Sequence, residues 1–204
     1  WGDSIRNDVR DGNRIWLDSK EFHQGEFCWK MIKAGEVKST ADEISSLGYD
    51  THDWITAIVP GTVLNSLVYN KVYPEPYYGV NNKIESGKIP DISKVGHEFY
   101  TYWFRTEFDV PESFAKRTIW LQPEGINYRA EIWVNGNLLS TMKGMFTNDY
   151  INVTDFVKVG QKNVLAIKVY PVDMPGSAKP KNWGAVGEFH NGGNGNIGLN
   201  TTML

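Results

Sequence analysis

The chain has 204 residues and a formal net charge of −3, and its 41% hydrophobic residues are enough to bury one sizeable core. No basic run accompanies that charge, which excludes the electrostatic footprint of a nucleic-acid binder, and no apolar run approaches the roughly 18 to 20 residues of a membrane span. Cys28 is the only cysteine, which excludes an internal disulfide and a multi-cysteine zinc site; a buried, inert thiol is the default expectation for it.

The start at Trp1-Gly2 has neither an initiator Met nor a signal peptide, so a leader has been removed or the chain begins inside a longer one. Residues 1–20 read as a polar lead-in without period. Phe27, Trp29 and Met31 then alternate with Cys28, Lys30 and Ile32, a first strand ending before Gly35. Ser39-Thr40-Ala41-Asp42-Glu43 carries a capping-box pattern, but Gly48 limits any helix to about two turns. Trp54 to Val59 reads as a second strand stopped by Pro60-Gly61. Thr62 caps a helix ending near Asn70, with Val63, Leu64, Leu67 and Val68 on one side.

The next segment, Tyr73-Pro74-Glu75-Pro76-Tyr77-Tyr78-Gly79-Val80-Asn81-Asn82, cannot be a central strand with two prolines, so it forms a structured loop. Those prolines fix φ near about −65° and remove two donors, so a stiff segment presents Tyr77, Tyr78, Asn81 and Asn82 outside the sheet. A tyrosine offers a sugar an apolar face with a hydroxyl at its rim, and an asparagine amide both donates to and accepts from sugar hydroxyls. These four are the candidate sugar-binding residues. The competing expectation is that the tyrosines pack inward and the asparagines cap turns.

Phe99 to Val110 is the longest alternating run. Tyr100, Tyr102, Phe104, Thr106, Phe108 and Val110 share one face, opposed by Thr101, Trp103, Arg105, Glu107 and Asp109. Thr118 to Leu121 is another strand. In the segment 127–134, Tyr128, Ala130, Ile132 and Val134 share a face against Arg129, Glu131 and Trp133, and Asn135-Gly136 supplies the two positive-φ residues of a type I′ hairpin turn. The chain should fold back through Asn137-Leu138-Leu139. Tyr150 to Val153 and Val164 to Tyr170 complete the strands, and residues 173–198, rich in Gly, Asn and Pro, read as loop. Seven or more short strands with one short helix near residues 62–70 predict an all-β fold, a jelly-roll β-sandwich.

No catalytic residue can be assigned. Gly193-Asn194-Gly195-Asn196-Ile197-Gly198 matches a dinucleotide pattern formally, without the preceding strand and following helix it needs. His23, His52, His97 and His190 are scattered, so neither a metal site nor another cofactor is expected. Glu107, Glu131, Asp149 and Glu188 are carboxylates of the kind that hydrolyse glycosides in pairs, but nothing selects two of them, and alternation places such charges on the wet face of a strand.

In order, Val59-Pro60-Gly61-Thr62-Val63-Leu64, the 73–82 loop, Tyr102-Trp103-Phe104-Arg105-Thr106-Glu107-Phe108, and the run from Gly125 to Gly136 resemble the N-terminal sugar-binding domain of glycoside hydrolase family 2. Gly144-Met145-Phe146 and Asn163-Val164-Leu165-Ala166 fall at two further stretches of that family. The loop before Asn81 resembles the β-mannosidase, endo-β-mannosidase and exo-glucosaminidase branch more than the β-galactosidase branch. The resemblance implies a galactose-binding-domain-like fold, a bacterial periplasmic or secreted setting, and a carbohydrate substrate. It also implies partners within a parent chain, an immunoglobulin-like domain and a TIM barrel; the barrel holds the two catalytic glutamates of a retaining mechanism. Members carry an asparagine after the aromatic loop that reaches toward the barrel's sugar subsite, which favours Asn81 and Asn82. Residues 21–204 then form a single sandwich domain, truncated before its closing strand. Two other readings remain: a self-sufficient carbohydrate-binding module, which needs an exposed row of aromatics, and a protein-interaction domain, which needs a large apolar patch.

Overall fold

A computed structural model describes residues 14–22, 24–81, 84–88, 101–127, 129–144 and 148–170. The expectations for residues 1–13, Asn82, Tyr100, Tyr128, Met145-Phe146 and the 173–198 loop lie outside them, as do His23, His97, His190 and Glu188.

Eight strands are described: β1 (Trp29–Lys33), β2 (Ile55–Thr56), β3 (Tyr102–Asp109), β4 (Trp120–Leu121), β5 (Arg129–Val134), β6 (Asn137–Lys143), β7 (Ile151–Asn152) and β8 (Lys162–Tyr170). Six form an antiparallel sheet in the order β2-β1-β3-β8-β5-β6, and β4 pairs with β7 in a second, two-stranded ribbon. The two layers enclose a core in which Trp29, Met31, Phe104, Ile132, Leu165 and Ile167 are fully buried. The all-β sandwich expected from the alternation is the observed architecture.

The β5–β6 turn is the expected one. Asn135 and Gly136 have φ of 47° and 85°, both in the left-handed region that a two-residue I′ turn requires. Ala130, Ile132 and Val134 are buried while Arg129, Glu131 and Trp133 are only partly covered. The helix α2 (Val63–Tyr69) starts where Thr62 Oγ1 accepts the Asn65 N–H at 3.0 Å and is capped at Asn70. Its buried side is Val63, Ser66 and Leu67 instead of the stripe drawn through Leu64 and Val68. Ser66 is tolerated inside because its Oγ accepts the Ile58 N–H at 3.0 Å. Directly before this helix, a Cβ on Gly61 would stand 2.5 Å from the Ile58 carbonyl oxygen, so the turn admits only glycine.

Further expectations change. The second strand shortens to Ile55–Thr56. Ala57 N–H still donates to the Trp29 carbonyl of β1, but residues 58 and 59 turn to other partners, Ile58 N–H donating to Ser66 Oγ and Val59 N–H to Ser19 Oγ, each at 3.0 Å. Cys28 is exposed, because Trp29 and Met31 take the core-facing positions and Cys28 falls on the opposite side. The supposed wet face of β3 is largely dry: Trp103 is 4% and Arg105 4% exposed.

That dryness comes from the segment between β1 and β2. It contains a one-turn helix, α1 (Ala41–Ile44), whose capping box joins Thr40 and Glu43, with the Thr40 N–H donating to the Glu43 carboxylate at 2.8 Å. Ile44 and Trp54 pack there with Trp103 and Ala166 in a second apolar cluster. Arg105 is satisfied inside it: Nε donates to the Ile44 carbonyl at 2.9 Å, and Nη2 to the Ser46 carbonyl at 3.0 Å and to Glu107 at 2.9 Å. A buried guanidinium requires such pairing.

N-terminal of residue 21, Leu17, Asp18 and Ser19 already belong to the folded unit. Trp29 Nε1 donates to the Leu17 carbonyl at 2.6 Å, and Ser19 N–H to the Val59 carbonyl at 2.7 Å.

Candidate functional site

The loop after α2 is built outward from the core. Asn70 Nδ2 donates to the carbonyls of Thr56 and Ser66 at 2.7 and 2.6 Å, tying the helix end to β2. The Val72 and Tyr73 N–H groups both donate to the Leu67 carbonyl, and Tyr73 packs against the core, where burial raises its phenol pKa. Beyond Pro74 and Pro76 the backbone curls on itself. Tyr78 N–H donates to the Glu75 carbonyl and Asn81 N–H to the Tyr78 carbonyl, each at 3.2 Å. Tyr77 N–H donates to Glu75 Oε1 at 3.3 Å.

The candidates separate into two kinds. Tyr77 is 91% and Tyr78 76% exposed, so the inward-packing alternative does not hold for their rings. Asn81 is 5% exposed. Its Nδ2 donates to the Glu75 carbonyl at 2.8 Å and its Oδ1 accepts from Lys88 Nζ at 2.8 Å. The Ser86 hydroxyl, at the end of a 3₁₀ turn over Ile84–Ser86, donates to the Asn81 carbonyl at 3.2 Å. Asn81 therefore pins the loop from inside while the tyrosines stand outside. Lys88 is the partner that sequence reasoning missed, and no local pattern links it to Asn81. Tyr69, Val72 and Val80 extend the exposed apolar surface of this segment.

The arrangement offers stacking faces, phenol hydroxyls and a rigid backbone. Of the four carboxylates considered for acid-base work, the three described are engaged separately. Glu107 accepts from Arg105, Glu131 from the Tyr170 hydroxyl, and Asp149 from the Tyr150 N–H at 2.9 Å. Burial raises the Tyr170 pKa, and the bond to Glu131 raises it further, so this phenol stays a donor. Among the described residues no group of three or more His, Cys, Asp or Glu side chains is placed to hold a metal ion.

A cavity of about 330 Å³ opens elsewhere, between β4 and the large sheet, and none of its lining residues belongs to the 73–88 loop. Phe108, Val134 and Leu165 form its floor, with Trp16, Trp120 and Tyr150 among its walls.

Residues 29–195 match the family described as glycosyl hydrolase 2 galactose-binding domain-like. A mannosylglycoprotein endo-β-mannosidase of Lilium longiflorum is 41% identical over 156 residues, covering 75% of this chain and 16% of that protein. An exo-β-D-glucosaminidase of Amycolatopsis orientalis is 28% identical over 146 residues, covering 70% and 13%. Among solved structures, an exo-chitosanase of Amycolatopsis orientalis in complex with PNP-β-D-glucosamine superposes with a TM-score of 0.58 at 25% identity, covering 73% of this chain and 16% of that one. The chain spans about a sixth of the length of these relatives.

Proposed function

The chain belongs to the galactose-binding-like domain family of glycosyl hydrolase 2, and from that premise we propose that it is the non-catalytic sugar-binding domain of a larger family 2 glycosidase. In that reading the parent hydrolyses the O-glycosidic bonds of β-mannosides, β-glucosaminides or β-galactosides with retention, using carboxylates of a barrel domain. This domain buttresses the barrel beside an immunoglobulin-like neighbour and lines part of the substrate pocket. The observation that carries the reading is the 73–88 loop: two exposed tyrosines held on a backbone that Asn81 and Lys88 lock from beneath. Tyr77 and Tyr78 would stack against or hydrogen-bond a sugar. Asn81 would act on their position, and Asn82 remains a candidate for direct contact.

Two measurements test this. The 204-residue chain alone should leave nitrophenyl glycosides of mannose, galactose, glucose and glucosamine unhydrolysed. Turnover abolished by removing one of its carboxylates would overturn the non-catalytic role. In the parent enzyme, Tyr77→Ala, Tyr78→Ala or Asn81→Ala should lower kcat/KM by about ten- to hundredfold, or about 1.4 to 2.7 kcal/mol of lost transition-state binding. Wild-type kinetics in all three would remove the loop from the pocket.

A further inference from the structure

The β4–β7 ribbon has two unlike faces. Its register pairs Trp120 with Asn152 and Leu121 with Ile151. Leu121 and Ile151 point toward the core, where Ile151 and Val153 are buried, so Trp120, Asn152 and Tyr150 fall on the other side. Trp120 is 54% and Tyr150 62% exposed. Tyr150 is the diagonal neighbour of Trp120 across the pair, a spacing of about 7 to 8 Å that two rings can bridge with one flat ligand. Gln122 continues the same face one step past the paired register.

The amides beside these rings are held in place. The Ile119 N–H donates to Thr154 Oγ1 at 2.9 Å, and that hydroxyl donates onward to Asn152 Oδ1 at 2.7 Å. Asn152 Oδ1 also accepts the Thr154 N–H at 3.0 Å. Two donors of Thr154 thus hold the Asn152 amide in place. Rings that stay wet, flanked by neutral amides, suit a ligand with one apolar face and a hydroxylated rim.

We propose that Trp120 and Tyr150, with Gln122 and Asn152 beside them, form a second saccharide-binding site on the β4–β7 ribbon, separate from the 73–88 loop. A pyranose with equatorial substituents presents a flat C–H face to the Trp120 ring, and its hydroxyls reach the two amides. This site needs no catalytic barrel, so its test is independent of the role given to the loop.

The test uses the 204-residue chain labelled with ¹⁵N, following the indole N–H signals of Trp16 and Trp120 during titration with methyl β-mannoside, cellobiose and chitobiose. The range should extend to about 50 mM, since exposed stacking sites of this kind bind near 1 mM, or about 4 kcal/mol. Saturable shifts of the Trp120 indole are expected with at least one sugar. Tyr150→Ala and Gln122→Ala should weaken them about tenfold or more, while Tyr77→Ala combined with Tyr78→Ala leaves them unchanged. Gln122→Ala alters only a partly covered polar side chain, so it remains informative if Tyr150→Ala fails to fold. No saturable shift with any of the three sugars would overturn the proposal, as would shifts that persist in both ribbon variants. Shifts of the Trp120 indole with an aliphatic detergent chain but with no sugar would overturn it too, and would make the ribbon an apolar docking face.

Discussion

Two asparagines, Asn135 and Asn81, organise two turns of this molecule with nearly the same bonds and opposite consequences. Asn135 Nδ2 donates to the Phe156 carbonyl and to Asn163 Oδ1, each at 2.7 Å, while its Oδ1 accepts the Val164 N–H at 2.9 Å. Those partners lie 21 to 29 residues away, so the hairpin turn is tied to the start of β8. Asn81 also uses both ends of its amide, but its partners Glu75 and Lys88 lie six and seven residues away. The first network fastens the turn to the strand that β5 already pairs with and to the segment carrying Phe156. The second shapes one loop. Hydrogen-bond range, more than hydrogen-bond number, separates a residue on which the fold depends from one on which a surface depends.

The strongest way to break this contrast is Asn163→Ala. Asn163 is fully buried; its Oδ1 accepts from Lys158 N–H as well as Asn135, and its Nδ2 donates to the carbonyls of Lys158 and Gln161 at 2.9 Å. Truncation strands several buried groups and should lower unfolding free energy by about 3 kcal/mol in urea. A loss under about 1 kcal/mol would mean that the network is not holding distant elements together.

Gly136→Val comes next. Its φ of 85° strains any β-branched residue, and a Cβ there would sit 3.3 Å from Ser46 Oγ. A loss of about 1 to 3 kcal/mol in the same experiment is expected, whereas a change inside about 0.5 kcal/mol would remove the turn from the list of determinants.

Asn81→Ala sharpens the other side. Global stability should fall by about 1 kcal/mol or less, while hydrogen exchange at the Tyr78 and Asn81 amides speeds up well beyond that of the core strands. Equal acceleration in β3 and β8 would show that the loop is coupled to the whole sheet. Lys88→Met should have the smallest effect, about 0.5 kcal/mol or less, with faster exchange confined to the same loop. Unaltered exchange would mean that Asn81 holds the loop without its lysine.

Much of the fold was legible because its signals are local. Asn135-Gly136 declares a turn, Thr62 a helix start, and the alternation of 129–134 a half-buried strand, and each needs only neighbours within a few residues. What stayed hidden depends on partners far along the chain. Nothing near Arg105 indicates that the Ile44 carbonyl, 61 residues earlier, will cover it and dry the outer face of β3. Of the candidate loop, the stiffness implied by two prolines and the outward tyrosines were readable. The inward turn of Asn81 was not, since it follows from Lys88 and from the curl of backbone between Glu75 and Asn81. Trp120 and Tyr150 look unremarkable in sequence and become neighbours only through the pairing of β4 with β7.

The strand order of the large sheet has a consequence for how the protein is made. β8, the last described strand, is hydrogen-bonded to β3 on one side and β5 on the other, so it occupies the middle of a sheet whose other described members all precede it. During synthesis from the N-terminus, β3 and the β5–β6 hairpin emerge with their facing edges unpaired, and no earlier strand can fill the gap. The nascent chain therefore waits, with apolar edges exposed, until residue 170 has cleared the ribosome, and insertion of β8 closes the sheet in one late step. Chaperone protection during translation should matter most between the appearance of β3 and that of β8.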